Sequence, residues 1–324
     1  MENKKLIVST SPHLKSAVTT QNIMRDVLIA LAPGAVASVV LYGLRALLII
    51  AVSVICAVGS EMLFCLACRK EQTVSDLSAA VTGLILALTL PTTVTLWQTA
   101  VGAIFAIVVV KCMFGGLGCN FANPAATARV MLLVSFSASV AGGTLPVITD
   151  LVASATPLAE IKAGGENLPT LLEMLLGLRG GAIGEGCAVA TLIGFVYLVV
   201  RRVIKWQVPA TYMLTVFALS FLKSGIEAGF APGAELALYQ ALGGGALFAA
   251  VFMITDYVST PLSTRGKVVF AFGCGLITCL IRFFGQYPEG ASFAILLMNI
   301  LSPYIEKWCA PRPFGAVSPK KGEA

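Results

Sequence analysis

The chain has 324 residues, of which 57% are hydrophobic and only 12% charged, with a formal charge of +6 and a mean hydropathy of +0.90. A soluble globular domain carries about a quarter charged residues, so this composition excludes one and indicates an all-α polytopic membrane protein. The positive charge gathers on one side of the apolar pattern and implies no nucleic-acid partner.

In chain order, residues 1–25 form a polar tail with no apolar signal-peptide core. His13, the only histidine, lies in it, so no histidine-based metal site or base is expected. A spanning helix needs about 20 apolar residues. Ten segments qualify: Asp26–Leu44, Ala46–Cys68, Leu77–Thr93, Leu96–Phe114, Pro124–Val140, Ile183–Val200, Val208–Gly225, Leu236–Ile254, Val268–Phe284 and Ala291–Ile305. The third and the last are short for a bilayer. Five spans (26–140) precede the one long loop, 141–182. Five more (183–308) follow it, and residues 309–324 form a polar tail.

Lysine and arginine placement supports that count. With both termini cytoplasmic, only Arg45, Lys162, Arg179, Lys223 and Arg282 of the 22 basic residues fall outside, as the positive-inside bias requires. Lys111 and Arg129 are assigned to the inside. Trp97, Trp206 and Trp308 sit at span ends, where an aromatic belt would hold them. The nine cysteines lie in or beside apolar blocks and read as reduced packing residues. Cys65 and Cys68 share a helical face, but two thiols do not complete a four-ligand metal site.

The halves echo one another. SDLSAAVTGLILALTLP followed by FGGLGCNFANPAATARVML in the first resembles TDYVSTPLSTRGKVVFAFGCGLIT followed by FGQYPEGASFAILLMN in the second. Each begins with an acidic residue at a span edge, Asp76 or Asp256, and both are expected at corresponding repeat positions. An odd number of spans per half gives inverted repeats, and Gly/Pro-interrupted segments in such repeats mark a midplane site. Asn123 followed by Pro124 is a helix start whose free amides favour an anion or a reduced cofactor. An ordinary cap on an ordinary span is the plainer reading of that motif. Ionisable residues within spans suggest function by default. The candidates for an ion or flavin path are Glu61, Asp76, Asn123, Arg129, Glu185, Asp256 and Glu289. The long loop carries DLVASATPLAEIK (Asp150–Lys162), small residues around one hydroxyl, Thr156. The stretch alone fits a linker as well as a covalent attachment site.

SPHLKSAVTTQNIMRDVLIALAP, SDLSAAVTGLILALTLP, FGGLGCNFANPAATARVML, GAIGEGCAVATLIG, ITDYVSTP and YPEGASFAILLMN together resemble a known family. It comprises the D subunits of Rnf complexes and the B subunits of sodium-pumping NADH:quinone oxidoreductases. The likeness runs from about residue 10 to 310, and the short N-terminal tail suits the D subunits better. The resemblance implies a urea-transporter-like fold of two five-helix inverted repeats in the bacterial inner membrane. It further implies a subunit that passes electrons between ferredoxin and NAD⁺ while Na⁺ or H⁺ is translocated. Its partners would be the other Rnf subunits (A, B, C, E and G), a flavin transferase and the lipid bilayer.

The family carries FMN on a threonine in a motif of the form D-G-x-S-G-A-T. Laid on this chain, the motif's acid falls on Asp150 and its acceptor on Thr156, with Ser154, Ala155 and Pro157 around it. Leu151, Ala153 and Ser154 depart from the pattern. Riboflavin is implied as a second, non-covalent flavin, with no residue here that identifies its site. An isolated chain is not expected to have the full activity. A urea-transporter-like channel for a small solute explains the repeat equally well, and a flavin-free scaffold subunit of the same complex explains the altered motif. Bound flavin separates both from the redox reading.

Overall fold

Gly43 divides the longest helix of the protein. The computed structural model describes residues 19–310 apart from 142, 145, 147–152, 155, 164–167, 286 and 288. In it α1 (Thr20–Ala67) runs for 48 residues, and Gly43 inside it takes the non-helical angles φ 68°, ψ −157°. At 1.5 Å per residue such a helix is about 70 Å long, more than twice the hydrocarbon thickness of a bilayer. Glycine alone adopts this conformation without steric penalty. The two arms cover the segments Asp26–Leu44 and Ala46–Cys68 that the sequence pattern sets out as the first two. Just past the break, Arg45 turns to the loop after the next helix, its Nε 2.6 Å from the Thr92 carbonyl.

The following helices are shorter than the apolar blocks suggest. Leu77, in the left-handed region at φ 62°, opens α2 (Ser78–Thr89), which ends at extended Leu90 after only twelve residues. Helix α3 (Leu96–Ile104) has a capping box from Thr95 and Gln98 and continues as a π-helical segment, Phe105–Cys112. Helix α4 (Pro124–Ser135) stops at Phe136, and α5 (Ser137–Val140) is a single turn. The fifth expected span is therefore a broken helix.

In the long loop, β1 (Gly143–Thr144) pairs antiparallel with β2 (Ala153–Ser154), followed by α6 (Pro157–Ala163) and α7 (Leu171–Leu176). A 3₁₀ turn at Ile183–Glu185 leads into α8 (Ala188–Val200). Then come α9 (Gln207–Ala228), α10 (Phe230–Leu242), α11 (Ala246–Phe248) with a π turn over Ala249–Met253, α12 (Thr264–Phe284) and α13 (Ala291–Cys309). Helices α1–α4 pack chiefly on one another, as do α9, α10, α12 and α13. Helix α8 on α1 and α13 on α4 tie the two groups together.

Among the described residues, α1 and α12 are long and apolar enough to cross a membrane. The pair α10 and Ala246–Met253, bent by 57°, would be a third span if taken as one. Side-chain distribution supports a lipid environment more directly. Val40 on α1 is 68% exposed while Glu61 on the same helix is 1% exposed, the reverse of a soluble protein. Small residues allow this packing. Gly83 of α2 lies so close to α1 that a Cβ there would stand 2.9 Å from Ala57 Cβ, and its carbonyl accepts from Ser53 Oγ at 2.6 Å. Gly83→Val overpacks this contact and should destabilise the protein by about 1–3 kcal/mol, read as a lowered melting temperature of the purified protein in detergent.

Candidate functional site

Two polar regions lie inside the helix assembly. The first surrounds a cavity of about 90 Å³, enough for several waters. Met24 and Val27 of α1, Ile85 of α2, Leu198 of α8 and Phe252 supply apolar wall, and Ser78, Lys111, Asn120, Asn123, Thr255 and Asp256 supply polar groups. Asn123 is fixed from three sides. Its Oδ1 accepts from the Ala125 and Ala126 amides at 3.1 Å, capping α4. Its Nδ2 donates to the Met253 carbonyl at 3.3 Å, and its own N–H donates to the Asn299 amide oxygen at 2.9 Å. Beside the cavity, Lys111 Nζ donates to Glu61 Oε1 at 2.7 Å and to Ser78 Oγ at 2.6 Å. The Lys111 and Glu61 side chains are 2% and 1% exposed.

In the cavity wall the Asp256 carboxylate accepts from Val258 N–H and Ser259 Oγ. Burial nonetheless holds it above the usual carboxylate range. The Tyr257 phenol is pushed up to about 12, first by burial and then by the Asp256 and Asp76 carboxylates near it. The two aspartates thus come to one locality, but not as repeat equivalents. Asp76 precedes the third helical arm of its half, α2, whereas Asp256 precedes α12, the fourth long element from α8. The motif likeness pairs unlike places in helix order, because both are short acidic turns entering an apolar helix.

The second region lies where α10 breaks into α11. Arg282 of α12 donates to the carbonyls of Gln240, Gly243 (3.1 Å) and Gly244 (3.3 Å). Arg179 donates to Leu242 O at 2.9 Å. Arg129 of α4 forms an ion pair with Glu289, and Glu185 packs its carboxylate against Gly245 and Gly181. Arg129, Glu185 and Glu289 share a cavity of about 20 Å³, room for one water. The sequence pattern picks out Glu61, Arg129, Glu185 and Glu289. It holds Lys111 and Arg282 within spans and Arg179 in the long loop, counts them only for orientation and makes none a site candidate, whereas all three are buried, at 2%, 4% and 5% exposure. The apolar residues on both sides of Lys111 (VVVKCMF) and Arg282 (LIRFF) are the signal that could have found them.

Thr156 immediately precedes α6, which lies against this second region. It is 4% exposed, and its Oγ1 accepts from Ala159 N–H at 3.3 Å. Two residues on, Leu158 packs on Gly243 and Gly244, and Arg282 and Glu289 approach Gly244 as well. Ser154 lies in β2 and Pro157 opens α6. Asp150 and Ala155 lie outside the described residues. Cys65 is buried, but Cys68 and Cys119 are exposed rather than packed, because both stand in turns beyond helix ends.

The NQR2, RnfD, RnfE family matches residues 7–315, nearly the whole of this architecture. The chain belongs to that family. Among its relatives is the D subunit of the "Na(+)-translocating ferredoxin:NAD(+) oxidoreductase complex" of Acetobacterium woodii, 41% identical with 99% of each chain covered. The D subunit of the "Proton-translocating ferredoxin:NAD(+) oxidoreductase complex" of Clostridium ljungdahlii is 36% identical over 95% of this chain and 96% of its own. The D subunit of an "Ion-translocating oxidoreductase complex" from Halorhodospira halophila is 33% identical over 94% of each. Within this NQR2, RnfD, RnfE member, Arg129→Met leaves Glu289 unpaired and should destabilise by about 3–5 kcal/mol. Replacing both residues with apolar ones should recover much of that loss in thermal denaturation, and a strictly additive double-mutant cycle would refute the coupling.

Proposed function

We propose that this chain is the D-type membrane subunit of an ion-translocating ferredoxin:NAD⁺ oxidoreductase, carrying FMN as a phosphoester on Thr156. The observation that carries the reading is the end-to-end match to relatives of that name, at 41% identity over 99% of both chains. The named relatives translocate different ions, so Na⁺ and H⁺ are both compatible with this sequence. In this reading the ten spans form two inverted five-helix repeats with both termini cytoplasmic, and loop 141–182 is extracytoplasmic. The other Rnf subunits (A, B, C, E and G) supply the remaining redox centres, and a flavin transferase modifies the loop.

Thr156 fits the FMN ester in chemistry. It offers a hydroxyl at the start of α6, among small residues that let a bulky ring approach the backbone. Its burial means that the contact of Leu158 with Gly243 and Gly244 must open for the transferase. A flavin there supplies one- or two-electron transfer. The chain's own part is positioning. Leu158 seats the loop on the α10–α11 break, and Arg129, Arg179 and Arg282 set a positive environment beneath it. The larger cavity has the lining riboflavin requires, apolar walls with a few convergent polar groups, and at about 90 Å³ its walls would have to part to admit the ring. Ser78, Asn120, Thr255 and Asp256 are the lining groups that would hold it there.

Coupling of this kind is energetically reasonable. Moving one charge against 100 mV requires about 2.3 kcal/mol, and a charge pair about 4 Å apart at an effective dielectric of 20 contributes about 4 kcal/mol. The test is the intact mass of the chain purified from its native membrane, with peptide mapping of Asp150–Lys162. A gain of one FMN less water is expected, lost in Thr156→Val and kept in Thr156→Ser. An unmodified chain beside a transferase active on another subunit would remove the flavin from this reading.

A further inference from the structure

Four side chains make a continuous hydrogen-bonded file from the protein surface to the larger cavity. Thr73 is exposed in the turn after α1, and its hydroxyl donates to Glu61 Oε1 at 2.7 Å. The same oxygen accepts from Lys111 Nζ at 2.7 Å, and Lys111 reaches Ser78 Oγ at 2.6 Å. Lys111 and Ser78 both line the cavity. Beyond Thr73 every member is buried: Glu61 is 1% exposed, Lys111 2% and Ser78 3%.

A purely structural pair would be better satisfied. Burying two charges returns little net stability over apolar residues of the same volume. The pair survives only if its remaining lone pairs and protons find partners. Here Glu61 Oε2 is buried with no partner among the described residues. Lys111 stands on the π-helical segment Phe105–Cys112, a local widening that recurs at functional sites. The file therefore has solvent at one end, a cavity at the other, and a free carboxylate oxygen between them.

We propose that Thr73, Glu61, Lys111 and Ser78 form a proton path from the surface into this cavity. Glu61 is the group that holds the incoming proton and Lys111 the group that delivers it. The proposal rests on the reading of the cavity as the place of a redox ring. Its class of acceptor is an anionic base formed there on reduction. In one cycle Glu61 takes a proton from surface water by way of the Thr73 hydroxyl, which passes its own proton to the carboxylate and regains one from the water. The Lys111 ammonium gives one proton to the base in the cavity, and protonated Glu61 returns one to the neutral amine. One proton has crossed, one negative charge in the cavity is neutralised, and the side chains end as they began. Other titratable groups face the file. Cys65 Sγ lies 3.8 Å from Thr73 Oγ1, Cys112 feels Glu61, Lys111 and Lys70, and Asp256 and Tyr257 line the cavity.

The test uses the whole purified complex in detergent. A pH-indicator dye follows proton uptake after rapid reduction, and turnover is compared in H₂O and D₂O. Glu61→Gln should slow uptake on the order of a hundredfold, with flavin content unchanged and Glu61→Asp largely restored. Thr73→Val leaves the ion pair intact and guards against simple misfolding. It should slow uptake by a smaller factor and alter the solvent isotope effect, while Thr73→Ser restores both. Assembled Glu61→Gln and Thr73→Val complexes with wild-type uptake would overturn the path. So would a Glu61→Gln variant that loses thermal stability while its assembled fraction keeps a normal rate, which would make the pair a structural tie. A wild-type complex without ferredoxin:NAD⁺ turnover would overturn the proposed function, and the path with it.

Discussion

Arg282 holds the open end of a broken helix. Helix α10 stops at Leu242, and the glycines at 243–245 leave carbonyls exposed in the interior of the protein. Arg282 takes three carbonyls and Arg179 a fourth. In a hydrocarbon environment an irregular backbone is tolerated only where protein or trapped water satisfies it. These arginines are thus the condition for the break. The break in turn creates the flat glycine surface that receives Leu158, and with it the segment bearing Thr156. Remove the guanidinium at 282 and the loop has no defined floor.

The same constraint accounts for the other polar pairs. Each helix that fails to run straight across leaves backbone ends or side chains to be matched inside. Asn123 caps α4 and ties it to Met253 and Asn299. Lys111 matches Glu61 where the chain passes from α3 through its π segment. In the proposed function, site and fold therefore draw on one set of residues. The charges that allow short and interrupted helices are also those available to a cofactor or an ion.

Much of this is legible in the sequence. Apolar block lengths give the order of the helices, Arg45 marks the turn between the two arms of α1, and N-P in NFANP gives the start of α4 to the residue. The three tryptophans stand at helix ends, as a lipid interface would arrange them. The interruptions are less legible. A left-handed Leu77, a helix ending at Phe136 and a π segment at Phe105–Cys112 arise from tertiary packing, which no local apolar pattern encodes. Arg179 and Arg282 are hidden for a related reason. A charge near a span end resembles a loop charge until the helix-break carbonyls that receive it are known, and those lie 38 or more residues away in the chain. Thr156 is found by motif alone, and nothing in the chain around it foretells its burial.

That burial makes the attachment proposed for Thr156 a matter of order in time. A hydroxyl at 4% exposure, closed over by a seven-residue helix seated on glycine, is out of reach of any enzyme once the loop has settled. In the proposed function, modification of Thr156 comes before docking or waits for the loop to lift. On that reading the segment around α6 has two states in maturation: open to the modifying enzyme before it docks, and closed on its glycine seat afterwards.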